Sequence, residues 1–358
     1  MTLTSTHIAR LDADCQRSDA STALIVQDGE VVWSYDRGDD PAPLHLASVT
    51  KFIVGLAVAR ALHTGALSSL ADPASTWLDE WRGDPTKERI PLAYLLLHAS
   101  GLQVLGAMGD DPEPLTPIAL SLPIVCDPGS TMAYNNLGVQ LVVEILRRAT
   151  GHLVDDYVGA DLFAPLAITE WRWNRGRDGV PFGMSALQML PRDLARVGEL
   201  ALAGGEWDGV RLFDSDWGQK YVQPGNGFGP LSQLVPECDV TIPIDAAMGL
   251  EPPLDGLVRR LGGRTVPLDG AGSLFLRLAE AGVPAHAAFA ALRQATPAPS
   301  FALPTLQSYG HTGDGGQQLW VVPEANAVAV RLRALDDRSY GPDTASDFSL
   351  LAFDALIG

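Results

Sequence analysis

Leu46-Ala47-Ser48-Val49-Thr50-Lys51-Phe52-Ile53-Val54 opens a run that stays apolar almost all round as far as Leu62. A helix apolar on every side is a buried one, so residues 48–62 are expected to form a central helix. At its head a serine and a lysine stand three positions apart, which a helix puts on one face with the amine in reach of the hydroxyl. The 25 basic residues include only three lysines, Lys51, Lys87 and Lys220. Lys51 is the one at the head of an apolar helix, where burial pushes an amine's pKa down and makes its neutral form accessible; an arginine could not respond in that way. Ser48 and Lys51 therefore read as a nucleophile with an adjacent base, and the helix N-terminus favours negative charge developing beside them.

Working outward, residues 22–26 and 31–35 are β-rich runs about Asp28-Gly29, a pair suited to the positive φ angles of a tight hairpin turn. Gly65 and Asp72-Pro73 end the central helix, and helical patterns then alternate with turns rich in Gly, Pro and Asp to about Pro181. The clearest of these helices, residues 137–149, has Asn136 at its start as a cap, Arg147 and Arg148 in its last turn and Gly151 just beyond. Residues 191–202 form a second amphipathic helix. Residues 318–322 and 327–332 are strand-like about Pro323-Glu324-Ala325-Asn326, and residues 346–356 close the chain as a helix. Sheet elements at both ends with a helical block between them make an α/β (α+β) chain. The expected division is a discontinuous sheet domain, 1–65 with 190–358, and a mostly helical domain, 66–189. A Pro/Gly-rich stretch at 225–304, with a helix at 273–281, reads as an insertion.

The 358 residues are 46% hydrophobic and 19% charged, a balance that excludes a disordered tail, a coiled coil or a collagen-like rod. Forty-three acidic residues against 25 basic ones leave a net charge of −18, which repels phosphate backbones and anionic lipids. Neither nucleic acid nor a membrane surface is expected as a partner. Cys15, Cys126 and Cys238 lie far apart and form no C-x-x-C pair, so no disulfide framework is expected. Residues 1–10 lack a basic segment leading into an apolar one, and no stretch reaches about 18 uninterrupted apolar residues. The expectation is a cytoplasmic protein. No H-E-x-x-H, Walker loop or G-x-G-x-x-G occurs, and Gly183-Met184-Ser185 does not complete G-x-S-x-G. His98, among apolar neighbours, reads as a structural histidine. Neither a metal nor a cofactor is expected.

Two further groups follow Ser48 and Lys51 in order: Tyr134-Asn135-Asn136 after the turn-forming Pro128-Gly129, and His311-Thr312-Gly313 before a Gly-rich turn and a strand. With them the chain resembles the serine β-lactamase and penicillin-binding-protein superfamily. It looks most like the class C-related branch, which includes esterases, D-amino-acid peptidases and acyltransferases. Leu95-Leu96-Leu97-His98-Ala99-Ser100-Gly101-Leu102, Pro191-Arg192-Asp193-Leu194-Ala195-Arg196, the region from Gly205 to Trp217 and the strand from Gly310 to Val322 extend the likeness to nearly the whole chain outside 225–304.

The resemblance implies an antiparallel sheet flanked by helices beside a mostly helical domain, and a two-step acyl transfer without a metal. Ser48 would attack a carbonyl. Lys51 and Tyr134 would share the removal of its proton and the delivery of that proton to the leaving group, the ammonium lowering the phenol's pKa; which of them is the base stays open. The backbone N–H groups of Ser48 and Asp314 would hold the oxyanion. Asn136 would touch the acyl side of the substrate, His311 would orient the substrate or the tyrosine, and Thr312 and Gly313 would line the same site.

Relatives usually begin the third group with a lysine that binds a substrate carboxylate. His311, with Asp314 close behind, makes the site less cationic and points to neutral or cationic esters or amides of small molecules. A serine acyl hydrolase, with acyl transfer to a bound acceptor as a variant, is the leading expectation. A binding or sensor protein on the same fold is the alternative, together with a true β-lactamase or D,D-peptidase.

Overall fold

A computed structural model describes residues 3–38, 42–105, 114–130, 133–217, 238–240, 266–268, 309–335 and 346–357. The chain divides into two units, Met1–Ser232 with Tyr309–Gly358, and Gln233–Ser308. In the second unit the described residues are two short antiparallel strands, Cys238–Val240 and Val266–Leu268. The helix expected at 273–281 lies outside the described residues.

The first unit begins with helix α1 (Ser5–Arg17), the hairpin β1 (Thr22–Gln27) and β2 (Glu30–Asp36), the short strand β3 (Leu44–His45) and helix α2 (Thr50–His63). Helices α3 (Leu92–Leu96), α4 (Leu115–Ser121), α5 (Asn136–Thr150) and α6 (Val154–Val158) follow, then strands β4 (Trp171–Trp173) and β5 (Leu187–Met189) and helix α7 (Pro191–Leu202). After the strands β6 (Glu206–Trp207) and β7 (Val210–Arg211), the unit resumes beyond the second one. Taking the two strands named above as β8 and β9, it continues with β10 (Tyr309–Gly313), β11 (Gln317–Val322), β12 (Ala327–Leu332) and the closing helix α8 (Phe348–Leu356).

The main sheet runs β10-β11-β12-β1-β2 and is antiparallel throughout, so the N-terminal hairpin docks on the three C-terminal strands. Asp28 and Gly29 are the two loop residues of that hairpin, with φ of 52° and 80°, as a right-twisted two-residue turn requires. Every residue of β11 and β12 is buried, which means both faces of the sheet are covered. Successive side chains on a strand point to opposite faces. Val328 lies under Gly198 of α7, whereas Arg331 reaches Ser18 at the end of α1. Helix α7 therefore covers one face, and α1 with α8 the other, where Trp33 of β2 meets Phe348 of α8 at 6.1 Å.

Several elements were not expected. Helix α1 carries a capping box in which Thr4 and His7 satisfy each other's backbone N–H groups, but with so few apolar positions its pattern is weak. The strands β3, β5 and β4 form a separate three-stranded sheet, β4 and β5 inside the domain that reads as mostly helical and β3 ahead of the central helix; runs of two or three residues leave no periodicity to detect. The cap of α5 is Asn135 rather than Asn136: its side chain accepts from Leu137 N and Gly138 N, and Asn136 is the exposed first helical residue. No helix among the described residues is long and apolar enough to cross a membrane.

The seat of α7 on the sheet is a test of this packing. A Cβ on Gly198 would stand 2.6 Å from Val328 Cγ1 and 3.1 Å from Leu319 Cδ1, and a β-branched core side chain cannot swing away. Gly198→Ala is expected to lower the unfolding free energy by about 1–3 kcal/mol through overpacking despite its better helix propensity, as read by denaturant titration.

Candidate active site

Leu46-Ala47-Ser48-Val49 enters α2 through a 3-10 turn over Ala47–Val49, so Ser48 sits just ahead of the helix and Lys51 in its first turn. Ala47 has a φ of 45°, a left-handed conformation that costs a non-glycine residue roughly 1–3 kcal/mol. It turns the half-buried serine off the helix axis. The entry is pinned from the side by β5: Leu46 N donates to Leu187 O at 2.8 Å, and Leu187 N donates to Thr50 Oγ1 at 3.4 Å.

Lys51 is fully buried at 0% exposure. Its Nζ lies 2.8 Å from Ser48 Oγ and donates to the carbonyl of Met184 at 2.7 Å. That carbonyl is held by α5, whose buried Gln140 donates to Pro181 O at 3.1 Å and accepts from Gly183 N at 2.9 Å. Burial pulls the Lys51 pKa down to about 7, and the negative charge of Asp314 opposes the shift.

Tyr134, just before the Asn135 cap, donates its Oη to Ser48 Oγ at 2.8 Å, and Lys51 Nζ lies 4.9 Å from the centroid of its ring. One serine oxygen thus touches both an amine and a phenol. Burial pushes the Tyr134 pKa up to about 12. The cost of burying a phenolate is the largest influence on it, with the Ser48 hydrogen bond pulling down and the charge of Asp314 pushing up.

Strand β10 closes the other side. Gly313 approaches the nucleophile so closely that a Cβ on it would lie 2.8 Å from Ser48 N and 2.9 Å from Leu46 O. With a φ of −139° this glycine is needed for space and not for backbone freedom. Tyr309, at the other end of β10, meets Trp217 at 5.8 Å, and Trp217 meets Phe52 of α2 at 6.1 Å. This aromatic chain ties strand to helix. Beyond Gly313, Asp314 and Thr312 are exposed, and the turn through Gly315 and Gly316 is anchored by fully buried Arg331, which donates to Gly316 O. His311 is buried at 3% exposure with Nδ1 against the Thr312 carbonyl, so it belongs to the wall.

The structure brings Ser48, Lys51, Tyr134 and Gly313 together, while Asn136 is placed here only by its neighbour Tyr134. Sequence reading missed the Met184 carbonyl, Gln140 and the Asn135 cap. For the carbonyl no side-chain signal exists; for Gln140, a polar residue within the buried stripe of α5 was the available clue.

A family model described as Beta-lactamase matches residues 5–230. Esterase EstB of Burkholderia gladioli is 29% identical over 200 residues, which are 45% of this chain and 50% of that protein. The matched stretches span half or less of the length of the curated relatives. Among solved structures, EstCE1, described as a hydrolase with promiscuous acyltransferase activity, superposes with a TM-score of 0.63 at 15% identity, covering 99% of this chain and 98% of that one. A penicillin-binding protein homologue from Caulobacter crescentus superposes with a TM-score of 0.61 at 14% identity over 99% of both chains. At such identities the superpositions speak for the fold.

Burying Lys51 has a measurable cost. Because its folded pKa is depressed, the unfolded chain binds more protons between about pH 7 and the usual lysine range, so this residue makes stability rise with pH there. Relative to Lys51→Met, the wild-type unfolding free energy is expected to climb by up to about 1.4 kcal/mol per pH unit above pH 7. Parallel stability curves for the two proteins over that window would contradict the buried amine.

Proposed function

The chain belongs to the beta-lactamase family, and on that premise we propose that it is a serine acyl hydrolase acting on a small ester or amide through an acyl-enzyme on Ser48. The observation that carries this reading is the single oxygen, Ser48 Oγ, held at 2.8 Å by a buried amine and at 2.8 Å by a phenol.

The two pKa directions divide the labour. At neutral pH a substantial fraction of Lys51 is the free amine, with a lone pair available to the serine hydroxyl, whereas Tyr134 keeps its proton. Lys51 is then the base: as Oγ bonds to the carbonyl carbon, the hydroxyl proton passes to Nζ. Tyr134 gives its own proton to the leaving group as the old bond breaks and recovers one from the Lys51 ammonium. The carbonyl oxygen, now an anion, is taken by the backbone N–H groups of Ser48 and Asp314; the close approach of Gly313 to Ser48 N supports this pairing. Water, or an acceptor bound in its place, resolves the acyl-enzyme by the reverse route. Asn136 and Thr312, both exposed, contact the substrate from the rim.

Asp314 sets the preference. Among the described residues its charge bears on both Lys51 and Tyr134, and the histidine that opens the third group is turned into the wall. A neutral or cationic substrate suits such a site better than a carboxylate-bearing one. The similarity to Esterase EstB of Burkholderia gladioli favours an ester.

A fluorophosphonate probe is expected to add its mass to the peptide containing Ser48, and Ser48→Ala to abolish that labelling; equal labelling of the two proteins would remove Ser48 from the mechanism. With p-nitrophenyl esters, kcat/KM is expected to fall as the pH drops below about 7, where Lys51 takes up its proton. Asp314→Asn removes the charge that holds that pKa up, so its acid limb should move to lower pH, by less at high salt because Asp314 is exposed. A limb that moves upward or stays fixed would rule out Lys51 as the titrating base.

A further inference from the structure

His98 makes three contacts around Tyr134 that neither the catalytic scheme nor its structural reading uses. Its carbonyl accepts from Ala133 N at 2.8 Å, its Nδ1 accepts from Asn135 N at 3.2 Å, and its ring centroid lies 4.6 Å from that of Tyr134. The residues before and after the tyrosine are thus hydrogen-bonded to one histidine, and the tyrosine's own ring leans on it. His98 adopts a φ of 55°, a left-handed conformation that orients its carbonyl and its ring toward the same segment. It is buried at 2% exposure, and Nε2 has no hydrogen-bond partner among the described residues. With Nδ1 accepting, the proton sits on Nε2 and the ring is neutral.

We infer that His98 is the positioning residue for Tyr134, holding the phenol at Ser48 so that it can deliver a proton to the leaving group. The inference rests on the acyl-hydrolase reading. A backbone held on both flanks fixes where Tyr134 starts, and the ring contact fixes its rotamer; without them the phenol keeps its chemistry but loses its aim. Proton delivery matters in proportion to how poorly the leaving group bears negative charge. A p-nitrophenolate departs unaided, whereas an alkoxide requires a proton as the bond breaks.

The test compares p-nitrophenyl butyrate with ethyl butyrate in wild type, Tyr134→Phe, His98→Phe, His98→Asn and His98→Gln, with thermal melts of each. His98→Phe keeps a ring against the tyrosine and removes the acceptor for Asn135 N. His98→Asn keeps an acceptor at the δ position, and His98→Gln moves it one bond outward. His98→Phe and His98→Gln are expected to lose at least about tenfold more kcat on the ethyl ester than on the p-nitrophenyl ester, with KM little changed, in the pattern of Tyr134→Phe; a general acid typically contributes about 10² to 10⁴ fold. His98→Asn should recover most of the ethyl-ester rate. Equal losses on both esters, or no difference between His98→Asn and His98→Gln, would assign His98 to folding alone, and the Asn/Gln pair decides this even where His98→Phe does not fold. A wild type that neither hydrolyses either ester nor labels at Ser48 sinks the acyl-hydrolase reading and this inference with it.

Discussion

A fully buried amine must either be neutral or be surrounded by acceptors, and at Lys51 this requirement organises the molecule around it. Two oxygens satisfy it, the Ser48 hydroxyl and the Met184 carbonyl. The first is local, three residues away at the mouth of the same helix. The second comes from 133 residues further on and has to be brought there, which is the work of the small sheet β3-β5-β4 and of the Gln140 amide on α5. Desolvation that an ordinary surface lysine never meets here brings the amine's pKa down to about 7.

Strain and close approach are concentrated on the same few segments. Ala47 and His98 both hold left-handed conformations, and Gly313 stands where no side chain would fit. Each is tolerated because rigid packing surrounds it: α2 is buried along nearly its whole length, and the aromatic chain Phe52–Trp217–Tyr309 fixes the distance from helix to strand. Arg331 shows the same economy from below, since one buried guanidinium links the end of α1, through Ser18, to the turn after Gly313.

The proposed preference for neutral or cationic substrates follows from where the charges lie. His311 is folded into the wall, burial pulls the Lys51 pKa down to about 7, and the exposed Asp314 bears on both Lys51 and Tyr134. The negative charge of Asp314 opposes the downward shift of the Lys51 pKa.

Much of this could be read in one dimension wherever the interaction is local. Ser48 and Lys51 are one helical turn apart, so their meeting follows from helix periodicity; the Asp28-Gly29 turn, the helix at Pro191–Leu202 and the strands about Pro323–Asn326 are likewise properties of short stretches. Tyr134 and Gly313 came into the site through the order and spacing of motifs rather than through any local signal. What sequence alone left open depended on contacts across the chain. The choice of base needed the depth of burial, which pulls an amine down and pushes a phenol up. The cap of α5 needed a phase accurate to one residue, which two adjacent asparagines cannot supply. The Met184 carbonyl has no residue type to announce it, and the grip of His98 on the residues flanking Tyr134 spans 37 positions. Periodicity and residue chemistry determined which groups could react. Only the packing of distant segments decided how far each lies from water and from the others, because desolvation and distance belong to the folded chain and not to its order of residues.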